Sequence, residues 1–303
     1  MAGLRDLKRR IKGIQNMRKI TRAMQMVSAA KMRKSQNAVV ASRTYSSLAW
    51  ELIVNVSSRI ISSNPLLTAY PKANKVGVIL VGTNGGLVGS LNSNLGKILE
   101  TVLHTPSLPA SVAAVTTRAD STEIISEVIV YGKKAKAVAQ RMRKTIMADF
   151  VKDDKTITTQ SIYPLAKYIT DVYLTGKYSK IFIVYNRFVS TLVQKPIAKQ
   201  LLPFPTLRES EVKTASSSVD YLFEPTPAEV LEHLLPRIIE SQIYSAILES
   251  NASEHSARMV MMKNATEAAE DLIGDLTLTY NQLRQGKITT ELAEITAGRI
   301  ALE

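Results

Sequence analysis

The segment Ile20–Gln36, ITRAMQMVSAAKMRKSQ, carries four basic residues (Arg22, Lys31, Arg33, Lys34), three methionines and no acid. It belongs to a longer pattern in which Leu4, Leu7, Ile11, Ile14, Met17, Ile20, Met24 and Val27 recur at spacings of three and four. That is one apolar stripe on an α-helix. Only Gly13 interrupts the stripe, and no proline occurs before Pro65. The spacing predicts a helix from about Leu4 to about Arg59, roughly 80 Å long at ~1.5 Å per residue. A helix of that length with one apolar face needs something to cover it.

A second such element lies at the other end of the chain. In EPTPAEVLEHLL (224–235), Thr226 reads as the cap, Pro227 as the first helical residue and Glu229 as the third. Farther on, Met262, Ala265, Ala269, Leu272, Leu276 and Leu283 form a heptad seam. No proline follows Pro236, so this helix is expected to approach about 100 Å. Neither stripe can bury itself, and the two are expected to pair as a coiled coil. Ala23, Ala29, Ala30, Ala265 and Ala269 would let the backbones come close.

Charge separates the same two arms. The net charge is +13, and residues 1–50 hold twelve of the 39 Lys and Arg against a single acid, Asp6. From Pro227 onward the sign reverses, with twelve acids against six bases. The C-terminal arm compensates only part of the excess. Arg18, Lys19, Arg22, Lys31, Arg33 and Lys34 therefore imply an external acidic partner, with DNA and an acidic protein loop both open. Met17 and Met24 fall on the stripe and are expected in a core, whereas Met26 and Met32 lie off it.

The middle of the chain has a different texture. KVGVILVG (75–82), SEVIVYG (126–132) and KIFIVYNRF (180–188) are β-rich runs. Helical stretches intervene at 92–103, 133–143 and 159–174, so strand and helix alternate as in an α/β layer with a mainly parallel sheet. Residues 105–126 and 208–218 read as loops. The organisation predicted is an N-terminal coiled-coil helix (1–60), a central Rossmann-like α/β domain (61–225) and a C-terminal coiled-coil helix (226–303).

Several function classes fit poorly. Cysteine is absent, which removes disulfides, thiolate metal sites and a cysteine nucleophile. No apolar run approaches the ~20 residues of a membrane span. The Arg-rich N-terminus has the composition of a transit peptide, but its helical period persists for more than ~40 residues, so it is expected to be mature structure. GTNGGLVGSLN (82–92) sits between a strand and a helix, where a phosphate loop would lie. Its glycines follow neither the dinucleotide nor the P-loop pattern, and tight turns need glycine for geometry alone. His104, His233 and His255 are scattered, and Glu291 with Glu294 reads as a solvated face. No catalytic, cofactor-binding or metal site is expected.

The two ends, MAGLRDLKRRIKGIQNMRKITRAMQMVSAAKMRKSQ and ESNASEHSARMVMMKNATEAAEDLIGDLTLTYNQLRQGKITTELAEITAGRIAL, resemble the gamma subunit of the F-type ATP synthases. TNGGLVGSLNSNL, IVYNRFVSTLVQ and QLLPF resemble that family's central domain. The resemblance implies a long antiparallel coiled coil serving as a rotor shaft, with a Rossmann-like domain at its foot. It implies partners as well: the α and β subunits of the catalytic head, the epsilon subunit and the membrane c-ring, with no nucleic acid. Chemistry would occur on the β subunits, so this chain would be a non-catalytic subunit without cofactor, peripheral to the membrane through its complex. By the same resemblance Met24, Arg33, Lys34, Arg258, Gln285, Thr289 and Glu291 are the expected coupling contacts to the β subunits. Residues 295–302 would sit in an apolar sleeve. The alternatives are a basic coiled-coil nucleic-acid-binding protein and, behind it, a dinucleotide enzyme.

Overall fold

A computed structural model describes residues 2–57, 64–68, 70, 73–104, 125–153, 157–204 and 226–300. The proline-free N-terminus forms one helix, α1 (Ala2–Ser57). The central region then alternates as β1 (Lys75–Val81), α2 (Leu91–His104), β2 (Ile125–Tyr131), α3 (Lys133–Arg141), β3 (Thr145–Phe150), α4 (Thr159–Leu174), β4 (Tyr178–Phe188) and β5 (Gln194–Leu202). The last helix, α5 (Pro227–Ile300), opens as its sequence predicts, with the Glu229 N–H donating to the Thr226 hydroxyl at 3.4 Å. The loop expected at 208–218 lies outside the described residues, as does the one at 105–126 apart from its last two residues, which open β2.

The five strands form one sheet in the order β3-β2-β1-β4-β5. β1 to β4 run parallel, and β5 returns antiparallel to β4. β3 and β5 are not anticipated by the sequence reading. TIMADF lacks a clean alternation, and β5 contains Pro196, which a ladder tolerates only where its missing N–H is not needed, as on this edge strand.

Strand periodicity splits the core into two layers. Val78, Leu80, Val128, Val130, Phe182 and Val184 face one side and pack with α2 and α3. Ile79, Val81, Ile129, Ile181 and Ile183 face the other side and pack with α4 and with residues 235–252 of α5. Both faces of a parallel sheet must be covered, which explains the continuous apolar runs in β1, β2 and β4. Gly82, at the end of β1, allows α3 to dock there, because a Cβ would lie 2.6 Å from the Ala135 nitrogen.

At the opposite end of the sheet, the Glu127 carboxylate accepts from Lys75 Nζ at 2.6 Å and from the Tyr178 hydroxyl. The hydrogen bond from Lys75, then that from Tyr178, holds the Glu127 carboxyl below its ordinary 4.5. Burial, followed by the Glu127 bond, pushes the Tyr178 phenol up. Burial likewise pushes Tyr131 up to about 12.

The chain resolves into two compact units: residues 1–30 with 258–303, and residues 31–257. Within the first, α1 and α5 lie side by side and antiparallel. Thr21 meets Thr266 at 2.8 Å, and Arg18 meets Glu270 at 3.6 Å.

Candidate interaction surface

In a doubly wound sheet the ligand crevice opens beyond the carboxyl ends of the strands where the strand order reverses. Here that point lies between β1 and β4, and helix α5 fills it. The Ser253 hydroxyl donates to the Asn186 carbonyl at the end of β4 (2.9 Å), and the Ser256 hydroxyl donates to the Thr191 carbonyl in the following turn (2.6 Å). From the β1 side, Val88 and Leu91 pack on Ala257. Ser250, Ala252, Ser253 and Ser256 have no solvent exposure, and their small size lets the helix lie tightly against the strand ends.

The glycine-rich loop after β1 is likewise engaged with protein. The Thr83 hydroxyl donates to the Gly85 carbonyl at 2.8 Å, and Asn92 Nδ2 donates to the Thr83 hydroxyl at 2.9 Å. Asn84 Oδ1 accepts the Lys133 N–H at 3.3 Å, while the Thr83 carbonyl accepts the Lys134 N–H at 2.8 Å. These acceptors cap the amino end of α3, satisfying donors that a helix leaves unpaired. The strand-to-helix glycine motif is thus a packing and capping device between β1 and α3.

Two ion pairs invisible to sequence reasoning fasten α5 to its surroundings in residues 31–257. Lys152, just past β3, contacts Glu254 at 2.6 Å with both side chains almost fully buried, and it also donates to the Gly82 carbonyl at 3.3 Å. Arg43 donates through Nε and Nη2 to Glu249 Oε1 (3.1 and 3.0 Å) and through Nη2 to the Phe188 carbonyl (3.0 Å). The partners lie about 100 and 200 residues apart in sequence, a separation at which no local pattern signals a pair.

The helical pair of residues 1–30 and 258–303 departs from the expected seam. On α1 the covered positions include Leu4, Leu7, Ile11, Ile14, Arg18, Thr21, Gln25 and Ser28, with Met24 and Ala29 half-buried beside them. On α5 they include Met262, Thr266, Ala269, Ile273, Leu276 and Tyr280. Both sets keep a strict four–three spacing, whereas the apolar stripe of α1 steps by three twice in succession after Ile14 and leaves the seam. Met17, Ile20 and Val27, expected in the core, are 61%, 60% and 56% exposed. On α5 Leu272 and Leu283 are half exposed, and Ile273 takes the place expected of Leu272. Of the alanines expected beside the seam, Ala269 is buried, Ala29 and Ala265 are half-buried, and Ala23 and Ala30 face solvent. Met32, expected off the stripe, is buried in residues 31–257, while Met26 is exposed. The middle of the seam is therefore polar, closed by the Thr21–Thr266 hydrogen bond, and an apolar strip lies outside it.

The register of Thr21 on Thr266 places the start of α1 opposite about Gln285. Beyond that point α5 continues without α1 beside it, and residues 281–297 are all exposed. Leu283, Ile288, Leu292, Ile295 and Ile300 project from this segment, each about half exposed or more. It also holds Gln285, Thr289 and Glu291, where the Thr289 hydroxyl donates to the Gln285 carbonyl (3.0 Å) and Lys287 pairs with Glu291 (3.3 Å). Met24 is half-buried on α1, Arg33 and Lys34 are exposed on α1, and Arg258 is half-buried on α5. Residues 301 and 302 of the expected sleeve segment lie outside the described residues.

A family model described as ATP synthase matches residues 3–302. An ATP synthase gamma chain of Xanthomonas oryzae pv. oryzae is 38% identical over 304 residues, covering all of both chains. That of Roseiflexus castenholzii is 38% identical over 305 residues, covering 100% of this chain and 99% of its own. With these matches in hand, the chain belongs to the ATP synthase gamma-chain family. Among solved structures, a chain of the Euglena gracilis mitochondrial ATP synthase (OSCP/F1/c-ring, rotational state 3) superposes with a TM-score of 0.65 at 20% identity, covering 99% of this chain and 94% of that one. A chain of the Tetrahymena thermophila mitochondrial ATP synthase central stalk and c-ring gives 0.57 at 18% identity, covering 81% and 99%. These two likenesses bear on the fold. No helix among the described residues is long and apolar enough to cross a membrane.

Proposed function

We propose that this chain is the central rotor shaft of an F-type ATP synthase, coupling ion-driven rotation of the membrane c-ring to ATP synthesis or hydrolysis on the β subunits. The observation that carries the proposal is 38% identity to ATP synthase gamma chains along the whole length. The surface of residues 1–30 and 258–303 supports it. An apolar strip and a run of bases face outward together, and the last turns of α5 have no helical neighbour among the described residues. A shaft turning inside a ring needs attraction that tolerates changing geometry, which charge provides and a close-packed apolar lock does not. Met24, Arg33, Lys34, Arg258, Gln285, Thr289 and Glu291 contact loops of the β subunits in this reading.

The chain contributes no catalytic group of its own. Supporting this, the crevice where a doubly wound domain would hold a nucleotide is filled by Ser253, Ser256 and Ala257 of α5. The protein reaches the membrane through its complex, at the cytoplasmic face of a bacterial plasma membrane or the matrix face of a mitochondrial inner membrane, with the epsilon subunit and the c-ring at its foot.

Reconstitution tests the reading. Mixed with its own α and β subunits, the chain is expected to co-migrate at one copy per hexamer, and the hexamer to require it for full ATPase activity. An active hexamer that excludes the chain, combined with salt-sensitive retention of the chain on DNA, would replace the rotor reading with the nucleic-acid alternative.

A further inference from the structure

Helix α3 carries an arrangement of charge that the fold does not need. Its apolar face, Ala135, Val138 and Ala139, is buried against the sheet. Lys133, Lys134, Lys136, Ala137, Gln140, Arg141 and, just past its end, Arg143 are exposed. Lys136 pairs with Asp149 at 2.8 Å. Among the described residues, no acidic side chain forms an ion pair with Lys133, Lys134, Arg141 or Arg143.

Two of these placements run against local stability. The first turn holds three lysines and no acid, at the end where the helix dipole repels positive charge. Arg143 stands at φ 53° in a Schellman turn, with its N–H donating to the Gln140 carbonyl and the Lys144 N–H to the Ala139 carbonyl. Glycine is the residue that this left-handed position favours. The helix thus spends stability at both ends to keep positive charge on one outward surface, and rules broken locally without structural gain mark functional surfaces.

We propose that the outer face of α3, with Lys133, Lys134, Arg141 and Arg143, is a docking surface for an acidic segment of a partner protein. The exposed set names the class of partner. It has no aromatic side chain on which bases could stack, and no exposed apolar side chain beyond Ala137 to enter a bilayer interface. What remains is a cationic helix face suited to carboxylates. The proposal is independent of the rotor reading, which concerns the helical arms.

Because the chain has no cysteine, Ala137→Cys carries a single environment-sensitive dye in the middle of the patch on the full chain. A short peptide of alternating glutamate and serine is the probe, and phosphatidylserine–phosphatidylcholine vesicles are the competing class. The dye is expected to report saturable, salt-weakened peptide binding. In the Lys133→Gln, Lys134→Gln, Arg141→Gln, Arg143→Gln variant, affinity at this site is expected to fall roughly tenfold or more, as for loss of several charge contacts. Unchanged affinity in that variant, or a response to vesicles but not to the peptide, overturns the proposal. Arg143→Gly guards against a folding defect. It is expected to raise Tm by about 2 °C while weakening the peptide signal; a raised Tm with undiminished peptide binding also overturns it.

Discussion

Residues 31–257 and the helical pair of residues 1–30 and 258–303 use opposite rules of polarity. In the former, fully buried Ile, Leu and Val on two faces of a sheet make two apolar layers, and the buried Lys152 and Glu254 are fastened to each other. In the latter, the seam is closed in its middle by threonines and an Arg–Glu pair, while Met17, Ile20 and Val27 face outward. The first pattern is that of a core filled by its own residues. The second leaves apolar surface uncovered and belongs to a segment completed by other chains.

The sharpest way to break this contrast is in the buried pair of the α/β unit. Lys152→Met removes the ion-pair partner of the buried Glu254 carboxyl, and is expected to cost about 3–5 kcal/mol in urea unfolding. Pairing it with Glu254→Met should recover most of that loss; a double variant as unstable as the single one would show that the charges themselves are needed there. Leu99→Ala, at a fully buried position on α2, is expected to cost about 2–5 kcal/mol, whereas Leu292→Ala on the bare end of α5 should stay within about 0.5 kcal/mol. Comparable losses at the two sites would erase the distinction between the units.

Within the helical pair, Thr21→Val should destabilise by about 0.5–1.5 kcal/mol, because Thr266 loses its cross-helix hydrogen bond but can still donate to the Met262 carbonyl at 2.8 Å, and the double change with Thr266→Val should be close to neutral. Hydrogen exchange at residues 18–28 and 262–273 would read this. A smaller effect is expected of pH on the α/β unit. Glu127, with its folded pKa below 4.5, adds stability that is present above that value and fades as pH falls beneath it. Tyr131, raised to about 12, adds stability present below pH 10 that is lost as pH climbs toward 12. Tyr178→Phe should flatten the acid limb, because Glu127 loses one of its hydrogen bonds, and should leave the Tyr131 limb in place. Smallest of all, a double-mutant cycle on Arg18 and Glu270, each partly exposed, should give less than about 0.5 kcal/mol and vanish in salt.

Much of this architecture is legible in the chain because its signals are local. Proline-free runs, the Thr226 cap and the three uninterrupted β-rich stretches place both long helices and three of the five strands. β3 and β5 escape because edge strands are specified by what they pair with, as Pro196 in β5 illustrates. The covered seam departs from the apolar stripe by one position after Ile14, since the successive steps of three there fall short of the 3.5-residue repeat on which a pair of wound helices meets. The ion pairs of Lys152 and Arg43 are set wholly by tertiary structure. The expected contact residues rest on family resemblance alone, because no spacing within one chain marks a contact with another.

The most direct measurement is rotation. The hexamer built with the chain's own α and β subunits is fixed to glass, and a bead is attached through Leu192→Cys, on the exposed turn between β4 and β5. With ATP supplied, the bead is predicted to turn in one direction in discrete steps. The variant Met17→Ser with Ile20→Ser should keep the fold and slip. A bead that only fluctuates while the hexamer hydrolyses ATP at full rate with the chain bound would contradict the account.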